Sequence, residues 1–123
     1  RKVHEAKVAG AASFEVWGTG TPLREFLHVD DCADALVFLM KNYSDFSHVN
    51  VGSGTDVSIR TLAEMIAEQV GFSGDIVWDA TKPDGTPRKL MSGDKIAAMG
   101  WAPNVTPDQG IRQTYEWYLE HAA

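Results

Sequence analysis

The stretch WGTGTPLREFLHVDD, from Trp17 to Asp31, decides how this chain folds. Its glycines and Pro22 predict a tight turn between the strand SFEVWG and a second strand, EFLHV. Asp30 is predicted to cap the helix that follows, because an aspartate side chain accepts the free N–H groups of a first helical turn. The stretch allows three interpretations: a phosphate-binding loop, a metal site, or a hairpin that leads into a helix.

The rest of the chain alternates between helix and strand patterns, which is typical of an α/β protein. A first helix ends at Gly10, HVNVGSG predicts a strand, and Ser58 caps a helix that ends at Gly71. DIVWD predicts another strand, TKPDGTPRK a loop, and residues 94–99 a short helix. The last helix begins with the capping box TPDQ at Thr106. Its buried stripe is predicted to comprise Ile111, Tyr115, Tyr118 and Leu119.

Composition restricts the classes of function. The chain has 123 residues, the length of one domain, and a formal net charge of −6, which opposes binding to nucleic acid or to an anionic membrane surface. It contains neither a transmembrane-length apolar stretch nor the apolar segment of a secretory signal peptide. Cys32 is the sole cysteine, so an internal disulfide is impossible and a cytoplasmic location is expected.

No motif in the chain completes a cofactor, metal or catalytic site. GTG at residues 18–20 and VGSGTD at residues 51–56 both lack the full G-x-G-x-x-G fingerprint, and turn geometry explains them equally well. His28, Asp30 and Asp31 lack a second histidine at metal-ligand spacing. No nucleophile elbow is present, and no tyrosine is followed three residues later by lysine. The residues alone predict no catalysis by this chain.

Two places favour an anionic ligand. Arg24 follows the rigid turn, so its guanidinium is suited to bidentate phosphate contact, and Trp17 is suited to stacking on a flat ring. KPDGTPRK carries Lys82, Arg88 and Lys89 on a backbone stiffened by prolines, as loops that bind anions often do. An ordinary hairpin contact and a solvated surface loop account for these residues equally well.

The chain resembles the C-terminal part of the GDP-L-fucose synthase family in four stretches: VWGTGTPLREFLHVDDCADA, HVNVGSGTDVSIRTLAEMIAEQVG, KPDGTPRKLM and GIRQTYEWYLE. These proteins are extended short-chain dehydrogenases/reductases that convert GDP-4-keto-6-deoxy-mannose to GDP-L-fucose with NADPH. REFLHVDD is shared by many nucleotide-sugar enzymes of that superfamily, whereas WGTGTP together with KPDGTPRK is narrower. The resemblance implies an α/β fold: a C-terminal substrate-binding domain over residues 1–123, without the Rossmann fingerprint region and truncated at its N-terminus.

The resemblance also implies what the chain binds. Five residues match positions that contact the GDP-sugar: Lys2, Trp17, Arg24, Asp84 and Lys89. Arg24 is expected on the diphosphate, and Arg88 is a weaker candidate for anion contact. The catalytic and cofactor-binding residues of the family lie upstream, so NADP is expected in the complete enzyme, while this chain alone is expected to bind no cofactor and to be inactive.

The expected partners are a GDP-sugar, the Rossmann domain and a second copy in a homodimer, with no nucleic acid and no membrane. Two alternatives stay open. One is another nucleotide-sugar epimerase or dehydratase of the same superfamily. The other is a stand-alone, non-catalytic module that binds nucleotide-sugars.

Overall fold

The computed structural model describes residues 1–122, and its helices and strands alternate along the chain. The elements are α1 Lys2–Val8, β1 Ser13–Trp17, β2 Leu23–Glu25, α2 Val29–Asn42, β3 Asp56–Ser58, α3 Ile59–Val70, β4 Asp75–Asp79, β5 Arg88–Lys89, α4 Asp94–Ala98 and α5 Pro107–His121. The strands form two small sheets. β1 pairs in parallel with β4, and β2 lies between antiparallel β3 and parallel β5. The α/β class predicted from the sequence is confirmed.

The first core lies between α1, α3 and the β1–β4 sheet. Its buried members are Val3, Phe14, Ala67 and Val70. The ring of Phe14 meets that of Phe72 edge-on, with 5.3 Å between the centroids. Lys7 joins α1 to α3, because its Nζ donates to the carbonyl of Val70 over 2.6 Å. This bond satisfies one of the carbonyls that the last turn of a helix leaves without an intrahelical partner.

The second core packs α2 against α4, and its buried members are Ala35, Ile96 and Trp101. Asp31, on α2, is also buried, with only 4% of its surface exposed. Its two carboxylate oxygens accept the backbone N–H groups of Asn104, at 3.1 Å, and Val105, at 2.9 Å. The carboxylate therefore anchors the connection between α4 and α5 to α2.

Four of the predicted helix ends are confirmed, at Ser58, Thr106, Gly10 and Gly71. Ser58 caps α3 through a side-chain hydrogen bond, and the capping box of Thr106 with Gln109 forms both of its bonds at the start of α5. Gly10 and Gly71 follow helices with positive φ angles of 60° and 71°, which glycine adopts without steric cost. SFEVW, DIVWD and the short helix at residues 94–98 are also found where they were predicted.

The predicted strand EFLHV is wrong in position. β2 ends at Glu25, and the chain leaves the sheet over residues 26–28 to begin α2. The cap is His28 rather than Asp30: the Nδ1 of His28 accepts the N–H of Asp30 over 3.3 Å, so the helix begins two residues earlier than the aspartate would allow. Of the three interpretations of this stretch, the hairpin is wrong, because β1 pairs with β4 and not with β2.

The predicted strand HVNVGSG is not formed, since residues 48–55 have no regular structure. Val49 and Val51 are half-buried against the second core, so their apolar spacing serves packing rather than a sheet. The strand of this region is β3, which begins at Asp56. Conversely, Arg88 and Lys89 lie in a predicted loop but form β5, because β2 offers them a partner.

The stripe predicted on α5 is only partly buried. Ile111, Tyr115 and Tyr118 are half-buried, whereas Leu119 is 46% exposed, so its assignment to the stripe is wrong.

α5 is 15 residues long. Across residues 1–122, no helix combines the length and apolar character that a membrane span requires.

The Asp31 contacts make a prediction about stability. Replacing Asp31 by alanine removes the carboxylate that accepts two backbone N–H groups, and hydrogen bonds to a charged group are the stronger ones, so we expect Asp31→Ala to lower the free energy of unfolding by about 2 to 3 kcal/mol. Urea denaturation followed by circular dichroism measures the change. The control is Asp30→Ala, because the Asp30 side chain is 82% exposed. Equal unfolding free energies for the two variants would contradict the anchoring role.

Candidate substrate-binding site

Asp84 fastens the loop after β4 to the glycine turn after β1. Its Oδ1 accepts the backbone N–H of Thr19 and its Oδ2 accepts the Thr19 hydroxyl, both over 2.7 Å. Gly18 lies against the Asp84 carboxylate: its φ is 87°, and a Cβ at this position would overlap the carboxylate. The hydroxyl bond first, and the N–H bond second, lower the pKa of Asp84, because both stabilise the ionised carboxylate.

Arg60 and Trp78 hold the same turn from its other side. Arg60 Nη2 donates to the carbonyl of Thr19 over 2.8 Å, and its guanidinium lies 4.4 Å from the Trp78 ring centroid. The Trp78 ring in turn lies against Gly20, where a Cβ would come within 2.6 Å of the ring. The turn is therefore fixed on two sides, and glycine is needed at both close approaches.

Trp17 presents an exposed indole at the end of β1. Its side chain is held by Glu15, whose Oε1 accepts the indole N–H over 3.2 Å, and 65% of Trp17 remains exposed. Lys82 Nζ lies 5.6 Å from the ring centroid. Lys2 is nearby, because its Nζ donates to the carbonyl of the same Glu15 over 2.9 Å. An exposed indole with an ammonium group near its ring is suited to a flat ring that carries negative charge.

Arg24 and Lys89 lie side by side on neighbouring strands, as paired residues of β2 and β5. Arg24 is held by a 2.6 Å bond from its Nη1 to the carbonyl of Leu23. Together with Glu25, Leu90 and Met91, the two cations line a cavity of about 470 Å³. Within residues 1–122, neither cation is within ion-pairing distance of a carboxylate. Their positive charge is thus available to an anion.

Arg88, the weaker candidate, is already engaged. Its guanidinium donates to Asp56, on β3, and this hydrogen bond together with the carboxylate charge raises the pKa of Arg88.

The side chains considered as a metal site have separate structural roles: His28 caps α2 and Asp31 binds backbone N–H groups. In the described part of the chain, no three His, Cys, Asp or Glu side chains converge as metal ligands.

The predicted site residues lie along one continuous surface rather than around a single point. Lys2 and Trp17 meet at Glu15, and the loop of residues 80–87 leads from the Trp17 ring, past Asp84, to Arg24. Sequence reasoning missed the residues that organise this surface: Thr19, Glu25, Arg60 and Trp78. Their partners are 18 to 66 positions away in the chain, so no local signal could have identified them.

A larger cavity, of about 650 Å³, lies among the start of α2, α3 and α5. Its walls are mostly apolar, with Phe26, Ile66, Ile111 and Tyr118 among them, and none of the five predicted contacts lines it. We place the candidate site at the smaller cavity, because there two cations that have no carboxylate partner among residues 1–122 lie together.

The sequence and the fold are similar to those of a known class of proteins. Residues 1–52 match the model of the NAD dependent epimerase/dehydratase family. Among solved structures, a GDP-L-fucose synthetase from Naegleria fowleri bound to NADP superposes with a TM-score of 0.90 at 33% identity, over 97% of this chain and 38% of that one. The chain has the fold of an extended short-chain dehydrogenase/reductase segment, as predicted.

Two curated relatives with GDP-L-fucose synthase in their names match nearly the whole of this chain. Putative GDP-L-fucose synthase 2 of Arabidopsis thaliana is 62% identical over 121 residues, which are 98% of this chain and 37% of that protein. GDP-L-fucose synthase of Escherichia coli (strain K12) is 45% identical over 130 aligned residues, 98% of this chain and 40% of that protein. The chain spans about two-fifths of the length of these relatives. The predicted resemblance to the C-terminal part of GDP-L-fucose synthases is confirmed.

The Thr19 contact makes a prediction about pH. Because hydrogen bonding lowers the pKa of Asp84 below its ordinary value of 3.8, the contact stabilises the fold fully above that value. The stabilisation is lost as the pH falls from there through the lowered pKa of the folded protein. We expect a carbon-detected NMR titration to place the Asp84 pKa below 3.8 and Thr19→Val, which removes the hydroxyl, to raise it again.

Thr81→Val is the matched control in the same loop. The Thr81 hydroxyl donates to Asp79 and not to Asp84, so this variant should leave the Asp84 pKa unchanged. An Asp84 pKa that is the same in Thr19→Val as in the original protein would show that the hydroxyl does not hold the carboxylate.

Proposed function

We propose that this chain is the GDP-sugar-binding part of an enzyme that converts GDP-4-keto-6-deoxy-mannose to GDP-L-fucose with NADPH. The observation that carries the proposal is the pair Arg24 and Lys89, side by side in one cavity and without carboxylate partners in residues 1–122. The names of the relatives supply the substrate class. We propose residues 1–123 as one substrate-binding domain.

Arg24 and Lys89 bind the diphosphate in this proposal. A guanidinium forms two parallel hydrogen bonds with phosphate oxygens, and an ammonium beside it adds a point charge. Arg24 is suited to the role because its own strand fixes it, through the bond to the carbonyl of Leu23. The conformational entropy that the Arg24 side chain loses on binding is correspondingly small, which favours affinity.

Trp17 and Lys2 bind the part of the ligand that extends from the diphosphate along β1. The exposed Trp17 ring provides a stacking surface, and Lys2, bonded to the backbone carbonyl of Glu15, provides a cation beside the same strand. Asp84 contributes in two ways. It holds the loop in place through Thr19, and its remaining lone pairs can accept a hydroxyl of the ligand.

The complete enzyme takes its NADP on the nucleotide-binding domain, and the present chain fixes the sugar nucleotide against it. Holding the two reactants in one geometry is the contribution that a substrate-binding domain makes to such a reaction. The chain alone binds no cofactor and turns nothing over in this proposal. The homodimer and the cytoplasmic location stay predictions.

Nucleotide preference tests the proposal against another enzyme of the same superfamily. In calorimetric titrations of the protein at its natural length, we expect GDP to bind more tightly than UDP or dTDP. A preference for UDP would exclude the fucose branch and favour a different nucleotide-sugar epimerase or dehydratase. NADPH consumption with the keto-sugar, followed at 340 nm, would separate an enzyme from a binding module that lacks chemistry.

Removing the Arg24 guanidinium tests the diphosphate site directly. We expect Arg24→Ala to weaken GDP binding about ten- to a hundredfold, since a charge-assisted contact contributes about 1.5 to 3 kcal/mol. The control is Arg112→Ala, which makes the same charge change on the exposed surface of α5. Equal affinity of the two variants for GDP would remove Arg24 from the diphosphate.

A further inference from the structure

Glu25 follows Arg24 in the chain, and its carboxylate contacts two other segments. Oε1 accepts the backbone N–H of Gly54 over 2.7 Å, in the loop before β3. Oε2 accepts the N–H of Met91 over 3.3 Å, just beyond the end of β5. Gly52 approaches so closely that a Cβ there would overlap the carboxylate. One side chain thus ties both neighbours of β2 to it.

Glu25 also lines the same cavity as Arg24 and Lys89. A carboxylate beside two cations would ordinarily pair with one of them and compete with an anionic ligand. Within residues 1–122, Glu25 is not within ion-pairing distance of either cation. Its lone pairs are directed to backbone N–H groups instead, which leaves the two cations to the ligand.

We propose that Glu25 is a positioning residue for the anion site. It holds the chain after Lys89 against β2, so that Lys89 stays beside Arg24, and it keeps its own charge bound to the backbone. This inference rests on the proposed binding of a nucleoside diphosphate. It adds a residue that touches no ligand atom and acts through the two cations.

Glu25→Gln separates a positioning role from a simple electrostatic effect, because the two predict changes of GDP affinity in opposite directions. The amide has nearly the same volume, but it turns an N–H₂ donor toward one of the two backbone N–H donors, so one bond is lost. Positioning predicts that GDP binds at least tenfold more weakly, while guanosine affinity changes by less than about twofold. Removal of a negative charge beside the site would by itself make GDP bind more tightly.

The matched control is Asp56→Asn. Asp56 lies directly opposite Glu25 in the β2–β3 pair and carries the same charge, but it bonds to Arg88. We expect this variant to bind GDP as tightly as the original protein, or more tightly. Faster hydrogen exchange at the amides of Gly54 and Met91 in Glu25→Gln, measured by NMR, should accompany the weaker binding.

Glu25→Asp keeps the charge but shortens the reach, so it provides a second test if the glutamine variant does not fold. We expect it, too, to bind GDP at least tenfold more weakly. Unchanged or tighter GDP binding by either variant would overturn the positioning role while leaving the proposed function intact. Absence of GDP binding by the original protein, calorimetrically, would instead overturn the proposed function and this inference with it.

Discussion

The contact between Asp84 and Thr19 is the constraint on which the site depends. β1 pairs in parallel with β4, and β2 pairs in parallel with β5, although the two pairs belong to different sheets. The turn from β1 to β2 therefore runs beside the loop from β4 to β5. The Asp84 carboxylate joins these two connections, and so fixes how the Trp17 end of the surface meets the Arg24 end.

The same use of carboxylates recurs at other places in the chain. Asp31 binds two backbone N–H groups before α5, and Glu25 binds two more on either side of β2. A carboxylate has about four lone-pair positions, so one acid can join two segments that lack a regular sheet or helix bond between them. This explains how strands of two or three residues, as in β5, keep a defined register.

Local signals predicted the parts of the fold that depend on neighbouring residues. The caps at Ser58 and Thr106 and the glycines after α1 and α3 are set by contacts within four residues, and all were predicted correctly. β2 and β3 were misplaced and β5 was assigned to a loop, because each of these strands exists only through a partner strand from a distant part of the chain. His28 was missed as a cap because aspartate is the commoner cap residue.

The residues of the candidate site show the same difference between local signals and distant contacts. Arg24 attracted attention from the sequence because a rigid turn precedes it, and Asp84 and Lys89 because they lie in the charged, proline-stiffened loop KPDGTPRK. The resemblance added Lys2. Glu25 and Thr19 gave no signal, although the geometry of the site depends on them. The role of Glu25 arises from backbone N–H groups 29 and 66 residues away, and that of Thr19 from the Asp84 carboxylate, 65 residues away.

The distribution of charge resolves an apparent conflict in composition. A net charge of −6 opposes an anionic ligand, yet the site contains cations without carboxylate partners in residues 1–122. Screening at physiological salt limits the reach of exposed charges to about 8 Å, so the local arrangement outweighs the total. Because Glu25 and Asp84 accept backbone N–H groups, their negative charge is partly compensated where the ligand would meet it. An acidic chain can thus maintain a cationic site, provided that its nearest acids are bound to its own backbone.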